Sequence, residues 1–211
     1  MTTSNSLVTP ERFAQGRDWE SYIDYIGSDE NLARPGPYGG SRSDNSERFK
    51  RNIDQYQLKP EQAAALKALP KLKVLALGED WCPDVYRGLP VIAGMCNAAG
   101  WELRIFQRDD HKDMMAEFPN VKDGQEFESI PVIVFYSEDG FQEVARWIER
   151  PQVAEDTISA IGKEFTRQDG ESEDDMRARL RKRYQNLQTS DEWDDWRHAS
   201  VEEILALLQK A

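Results

Sequence analysis

Leu77-Gly78-Glu79-Asp80-Trp81-Cys82-Pro83-Asp84-Val85 is the stretch whose reading decides the fold. It follows Leu72 to Leu77, a short and almost wholly apolar run, as a strand buried on both faces requires. Asp84 to Ala99 then reads as a helix ended by Gly100, a residue suited to a helix stop. Cys82 therefore stands between a buried strand and the start of a helix. The unpaired backbone N–H groups there favour a thiolate over a thiol, and a thiolate is the nucleophile in thiol–disulfide exchange. The alternative is a buried structural cysteine, which is inert.

Outward from this stretch, strand and helix signals alternate. Trp101, Leu103 and Ile105 alternate with Glu102 and Arg104, the period-two mark of a strand. A short helix around His111 to Phe118 and a polar loop follow. Pro131 to Tyr136 and Glu143 to Ile148 read as strands joined by a turn at Asp139-Gly140. Pro151 opens a helix with Ala154, Ile158, Ile161 and Phe165 at helical spacing. That order implies an α/β fold, a mixed sheet covered on both faces.

The flanks are helical. Thr9-Pro10 starts a short turn, and Asp18 caps a segment with Trp19, Tyr22, Ile23 and Ile26 on one face. Asn31 to Asn45, rich in proline and glycine, is either a mobile loop or a strap closing over the domain. Helices return at Ser46 to Gln57 and Pro60 to Leu69. At the other end, Ser172 caps a helix with Met176, Leu180, Tyr184 and Leu187 in one stripe. Ser200 and Glu203 form a capping-box pattern ahead of Ile204 and Leu205, with Trp193 and Trp196 before it. Such terminal stripes pack on their own domain or form an oligomer contact, so a monomer or a homodimer is expected.

Composition narrows the function. The chain has 211 residues and a formal net charge of -12, which argues against a general nucleic-acid or anionic-membrane surface. The basic run at Arg177, Arg179, Arg181, Lys182 and Arg183 follows acidic Glu171 to Asp175, so it reads as a solvated helix with dipole-matched ends rather than an anion patch. No apolar run is long enough for a membrane helix, and the first residues lack a secretory pattern, so a cytoplasmic protein is expected. Two cysteines and two distant histidines, His111 and His198, offer no metal-ligand spacing. No metal and no cofactor are expected. His111, after Arg108-Asp109-Asp110, reads as part of a turn and cap rather than a catalytic base.

Trp81-Cys82-Pro83 ahead of a helix resembles the active-site turn of the thioredoxin superfamily. Ile130-Pro131, opening an apolar strand about fifty residues later, resembles its cis-proline segment. More narrowly, Glu79 to Asp84, Arg108-Asp109, Ile130-Pro131 and Trp147-Ile-Glu-Arg150-Pro151 are similar to a family of bacterial thioredoxin-like proteins with an N-terminal helical extension. The resemblance implies a thioredoxin-like domain over residues 60–168, helical extensions at 1–59 and 169–211, and the proline loop packed beside Cys82. It implies Cys82 as the catalytic thiol and Trp81, Pro83, Ile130 and Pro131 as the substrate surface, with Trp81 either an aromatic wall or a core residue.

One departure matters. Thioredoxins carry a second cysteine three residues after the first, and here that position is Val85. Cys96 lies fourteen residues beyond Cys82, roughly 20 Å along a helix, whereas a disulfide needs Cα atoms within about 7 Å. Cys96, with Val91, Ile92 and Met95, reads as core. Glu79, Asp80 and Asp84 would raise the Cys82 pKa, while the helix start and Arg87 would lower it. Arg87 faces the thiolate, or a bound carboxylate, or pairs with Asp84. Asp84 reads as a first-turn helix acid, with proton transfer the other reading. The expectation is a monothiol redox protein acting on a protein or small-molecule thiol or disulfide through an intermolecular mixed disulfide. The alternative is a non-catalytic binding module. A glutathione-transferase-like enzyme would need a longer helical second domain.

Overall fold

The computed structural model describes residues 6–187 and 190–211. Its helices are α1 (Pro10–Phe13), α2 (Trp19–Ile26), α3 (Asp29–Leu32), α4 (Ser46–Gln55), α5 (Pro60–Ala68), α6 (Pro83–Ala99), α7 (Lys112–Met115), α8 (Gln152–Glu164), α9 (Glu173–Leu187) and α10 (Asp191–Leu208). Its strands are β1 (Leu72–Gly78), β2 (Glu102–Gln107), β3 (Asn120–Lys122), β4 (Gln125–Phe127), β5 (Val132–Ser137) and β6 (Glu143–Ile148).

Four strands form one sheet in the order β2-β1-β5-β6. β1 runs parallel to β2 and antiparallel to β5, and β6 is antiparallel to β5. Parallel neighbours need a crossover, and α6 supplies it. Almost every residue of β1 and β5 is buried, although successive side chains point to opposite faces, so helices cover the sheet on both sides. This is the mixed, helix-flanked sheet that the alternating pattern implied. The free edge of β2 is closed by Arg17, which exchanges backbone hydrogen bonds of 3.0 and 2.7 Å with Ile105. Gly16 lets the chain come that close, since a Cβ there would sit 2.5 Å from Cε2 of Phe106.

Two segments differ from the sequence reading, and a third settles between two readings. The polar loop before Pro131 contains the β3–β4 hairpin, turned by Asp123 and Gly124, both at positive φ. Strands of three residues are too short to show a period. Ser200 does not start a helix, because it lies inside α10 and its hydroxyl donates to the Trp196 carbonyl at 2.9 Å. Glu203 caps a different helix instead: its carboxylate accepts from the Gln152 N–H at 2.7 Å, at the start of α8, and from Trp147 Nε1 at 3.0 Å. Of the two readings left open for Asn31 to Asn45, the structure has the strap, held by two arginines described below.

The terminal helix α10 lies against α5, α6, α8 and β6. Trp193, Trp196, Val201 and Ile204 join the same core as Val85, Leu89 and Val134. Among the described residues no helix is long and apolar enough to cross a membrane.

Replacing Glu203 with alanine strips the indole of Trp147 and the first turn of α8 of their acceptor. The urea midpoint should fall by an amount equivalent to about 1–3 kcal/mol; an unchanged midpoint would contradict this account of how α8 and β6 are tied to α10.

Candidate functional site

β1 ends in Gly78, and an added Cβ there would press within 2.9 Å of Val85 Cγ1. The missing side chain lets Val85, fully buried, pack under the strand end. The position that carries a second cysteine in thioredoxins is thus filled by core.

Glu79 and Asp80 follow, and both are buried. Glu79 accepts from Arg34 at 3.1 Å, from Arg42 at 3.0 Å and from the Asp109 N–H at 2.9 Å. Asp80 accepts from Arg42 and, at 2.9 Å, from Asn45 Nδ2. Arg34, Arg42 and Asn45 belong to the strap, and Asp109 to the turn after β2. The two guanidiniums pair with the two buried carboxylates, which permits their burial, and Asp110 also pairs with Arg34 at 2.8 Å.

The chain then turns. The Cys82 N–H donates to the Glu79 carbonyl at 3.0 Å, and Cys82 becomes the N-cap of α6, with Pro83 as its first residue. Cys82 is partly exposed and Pro83 exposed. The Ile130–Pro131 peptide bond is cis, and Cys82 Sγ lies 3.8 Å from the Ile130 carbonyl oxygen. Pro131 itself is buried over α6, its Cγ 3.8 Å from where a Cβ of Gly88 would stand. Trp81 is partly exposed, with Arg108 stacked 5.5 Å from its ring. The sulfur and the proline loop therefore meet at one face, with the indole beside them on the chain.

Burial pushes the Cys82 thiol up to about 11, and the Asp84 carboxylate adds to that rise. The N–H groups of Val85 and Asp84, with Arg150, oppose it without overcoming it. The helix start does favour the thiolate, but desolvation outweighs it. Asp80, expected to act on the thiol, is held by Arg42 and Asn45; the carboxylate that acts on the sulfur is Asp84. Asp84 accepts from Arg87 Nη2 at 3.1 Å and forms an ion pair with Arg150 Nη2 at 3.0 Å. Of the three positions open to Arg87, the structure has it paired with Asp84. It is completely buried beneath the helix start, and burial lowers its pKa.

Cys96 sits near the far end of α6, buried, its thiol pushed up by burial alone. His111 packs edge-on against Phe106, 5.0 Å between ring centres, between the turn after β2 and α7. Among the described residues no cluster of His, Cys, Asp and Glu could hold a metal ion. Sequence reasoning missed Arg34 and Arg42, whose role depends on a fold-back of the strap that no local spacing announces. It also missed Arg150 as the partner of Asp84, although the Trp147-x-x-Arg150-Pro151 pattern contained the residue.

A family model described as Thioredoxin matches residues 37–166. No curated protein matches the sequence. Among solved structures, a protein of unknown function from Pseudomonas aeruginosa, PA1234, is 16% identical, covering 97% of this chain and 99% of its own, with a TM-score of 0.61. An HIV epitope-scaffold is 18% identical over 95% of this chain and 97% of its own, with a TM-score of 0.57. At these identities the likeness shows a common fold.

A thiol pushed up to about 11 is mostly protonated at neutral pH. Alkylation of the native protein by iodoacetamide should therefore occur at Cys82 alone and rise about tenfold per pH unit between pH 7 and 10. Mass spectrometry of the labelled peptides reads both the site and the rate. A plateau below pH 9 would mean that the helix start outweighs burial and Asp84.

Proposed function

Because the chain belongs to the thioredoxin family, we propose that it is a monothiol exchange protein in which Cys82 forms mixed disulfides with substrates laid against the Ile130-Pro131 loop. The Cys82 thiolate attacks one sulfur of a substrate disulfide, a new S–S bond to Cys82 forms, and the substrate's own S–S bond breaks. The departing thiolate carries off the electron pair and takes up a proton. Val85 offers no second sulfur, so a thiol from another molecule attacks the mixed disulfide and returns Cys82 to its reduced form. The supporting observation is partly exposed Cys82 at the start of α6, with its sulfur 3.8 Å from the Ile130 carbonyl. Trp81, Pro83, Ile130 and Pro131 would form the surface for the substrate chain, with a protein or a small thiol or disulfide as partner. The ordered matches from Glu79 to Pro151 support a place among bacterial thioredoxin-like proteins with an N-terminal helical extension.

A second reading is favoured by the raised thiol: a binding module that uses the same face without chemistry. A protonated sulfur beside Asp84 exchanges slowly, and an adaptor has no need of speed. The two readings separate in one experiment. For an exchange protein, Cys82→Ser removes turnover of a mixed disulfide between glutathione and a test protein, and Cys96→Ser leaves it within about twofold. A Cys82→Ser variant that keeps full partner binding and cellular function would make the module the correct reading.

A further inference from the structure

Next to partly exposed Cys82 the surface dips into a cavity of about 270 Å³, bordered by Pro83, Asp84, Arg150, Tyr184, Trp193 and Trp196. Pro83 is the covalent neighbour of Cys82, so the cavity begins one residue from the thiol. Its aromatic wall comes from α9 and α10, beyond the stretch 37–166 that the family model matches.

Two guanidiniums meet the Asp84 carboxylate at its edge, and one of them, Arg150, also pairs with Glu149 and, at 3.6 Å, with Glu155. Asp84 is the acidic residue that borders the cavity, and its carboxylate is shared between Arg87 and Arg150. Arg87 is completely buried, and its guanidinium lies 5.6 and 5.8 Å from the rings of Trp193 and Trp196. Its Nε and Nη1 have no hydrogen-bond partner among the described residues, and neither has Nε of Arg150. Arg197, also buried, is close enough for its charge to oppose that of Arg87. Buried guanidinium donors left without acceptors are costly, and in native proteins such groups find a partner. Asp84, which pairs with Arg87, and Trp193 and Trp196, whose rings lie within 6 Å of its guanidinium, all border this cavity, as does Arg150 itself. An oxygen acceptor bearing negative charge, carried on a flat apolar body, matches both the donors and the walls.

We propose that this cavity is a subsite for a carboxylate attached to an aromatic or apolar group, and that disulfides bearing such a group are the preferred substrates of Cys82. The substrate half rests on the exchange reading above; the binding half does not.

Two aromatic disulfides test it: 5,5′-dithiobis(2-nitrobenzoate), which carries carboxylates, and neutral 2,2′-dithiodipyridine. In each case the Cys82 thiolate bonds to one probe sulfur and expels the other, as the nitrothiobenzoate thiolate or, after uptake of a proton on the ring nitrogen, as 2-thiopyridone, and both absorb light. Both probes meet the same thiolate, so the ratio of their rates is independent of its pKa. Relative to the same ratio for 2-mercaptoethanol, the protein should favour the carboxylate probe by about tenfold. Tyr184→Ser, at a partly exposed position, and Arg150→Gln should each return the ratio toward that of the free thiol. A ratio at or below the reference, as repulsion by a chain of net charge -12 would produce, overturns the proposed preference.

If neither probe reacts with Cys82, the exchange reading fails and the subsite is still measurable. In Cys82→Ser protein, N-acetylphenylalanine and its neutral amide are titrated while the tryptophan indole N–H signals are followed by NMR. Binding of the acid in preference to the amide, lost in Arg150→Gln, supports the subsite; equal binding, or none up to roughly 10 mM, overturns it.

Discussion

Two carboxylates, Glu79 and Asp80, are buried at the end of β1, and Arg34 and Arg42 neutralise them from a strap more than thirty residues away in the chain. Buried charges of this kind are tolerated only when paired, and removing one partner costs about 3–5 kcal/mol. The pairing therefore acts as a lock. It holds the strap on the sheet, it fixes the turn after β2 through the Asp109 N–H, and it sets the direction in which the chain leaves β1. The next residues are Trp81 and Cys82. Cys82 is thus placed by this neighbouring lock together with its own contacts to the Glu79 and Ile130 carbonyls.

A second set of charges decides how that thiol behaves. Asp84 lies close enough to the sulfur to disfavour a thiolate, and Arg87 and Arg150 hold it there. The helix start pulls the other way and loses, because desolvation acts on the whole charge while a few N–H dipoles offset only part of it. A second sulfur would normally complete the chemistry, but Val85 is packed beneath Gly78 and contributes only apolar bulk. A slow, single-thiol exchange chemistry is consistent with both facts. It would draw its selectivity from what surrounds the sulfur, and the tryptophans of α10 make those surroundings unusual.

Legibility in the sequence followed the range of the interactions. The strands β1, β2, β5 and β6 and the helix α6 could be read because burial on both faces and helical periodicity are local patterns. The hairpin β3–β4 could not, since three residues carry too little pattern. Ser200 and Glu203 match a cap by spacing alone, yet Glu203 serves α8 and Trp147 across the fold.

The sequence by itself determined the α/β order, the place of Cys82 at a strand-to-helix junction and the absence of a partner sulfur at Val85. Each is a matter of residue type at a given position along the chain. Tertiary structure alone decided which charges face which. It placed Arg42 against Asp80, Arg150 against Asp84, and Trp193 over Arg87. Coulomb forces and desolvation depend on distance through space, and residues far apart in the chain acquire that distance only when the chain folds.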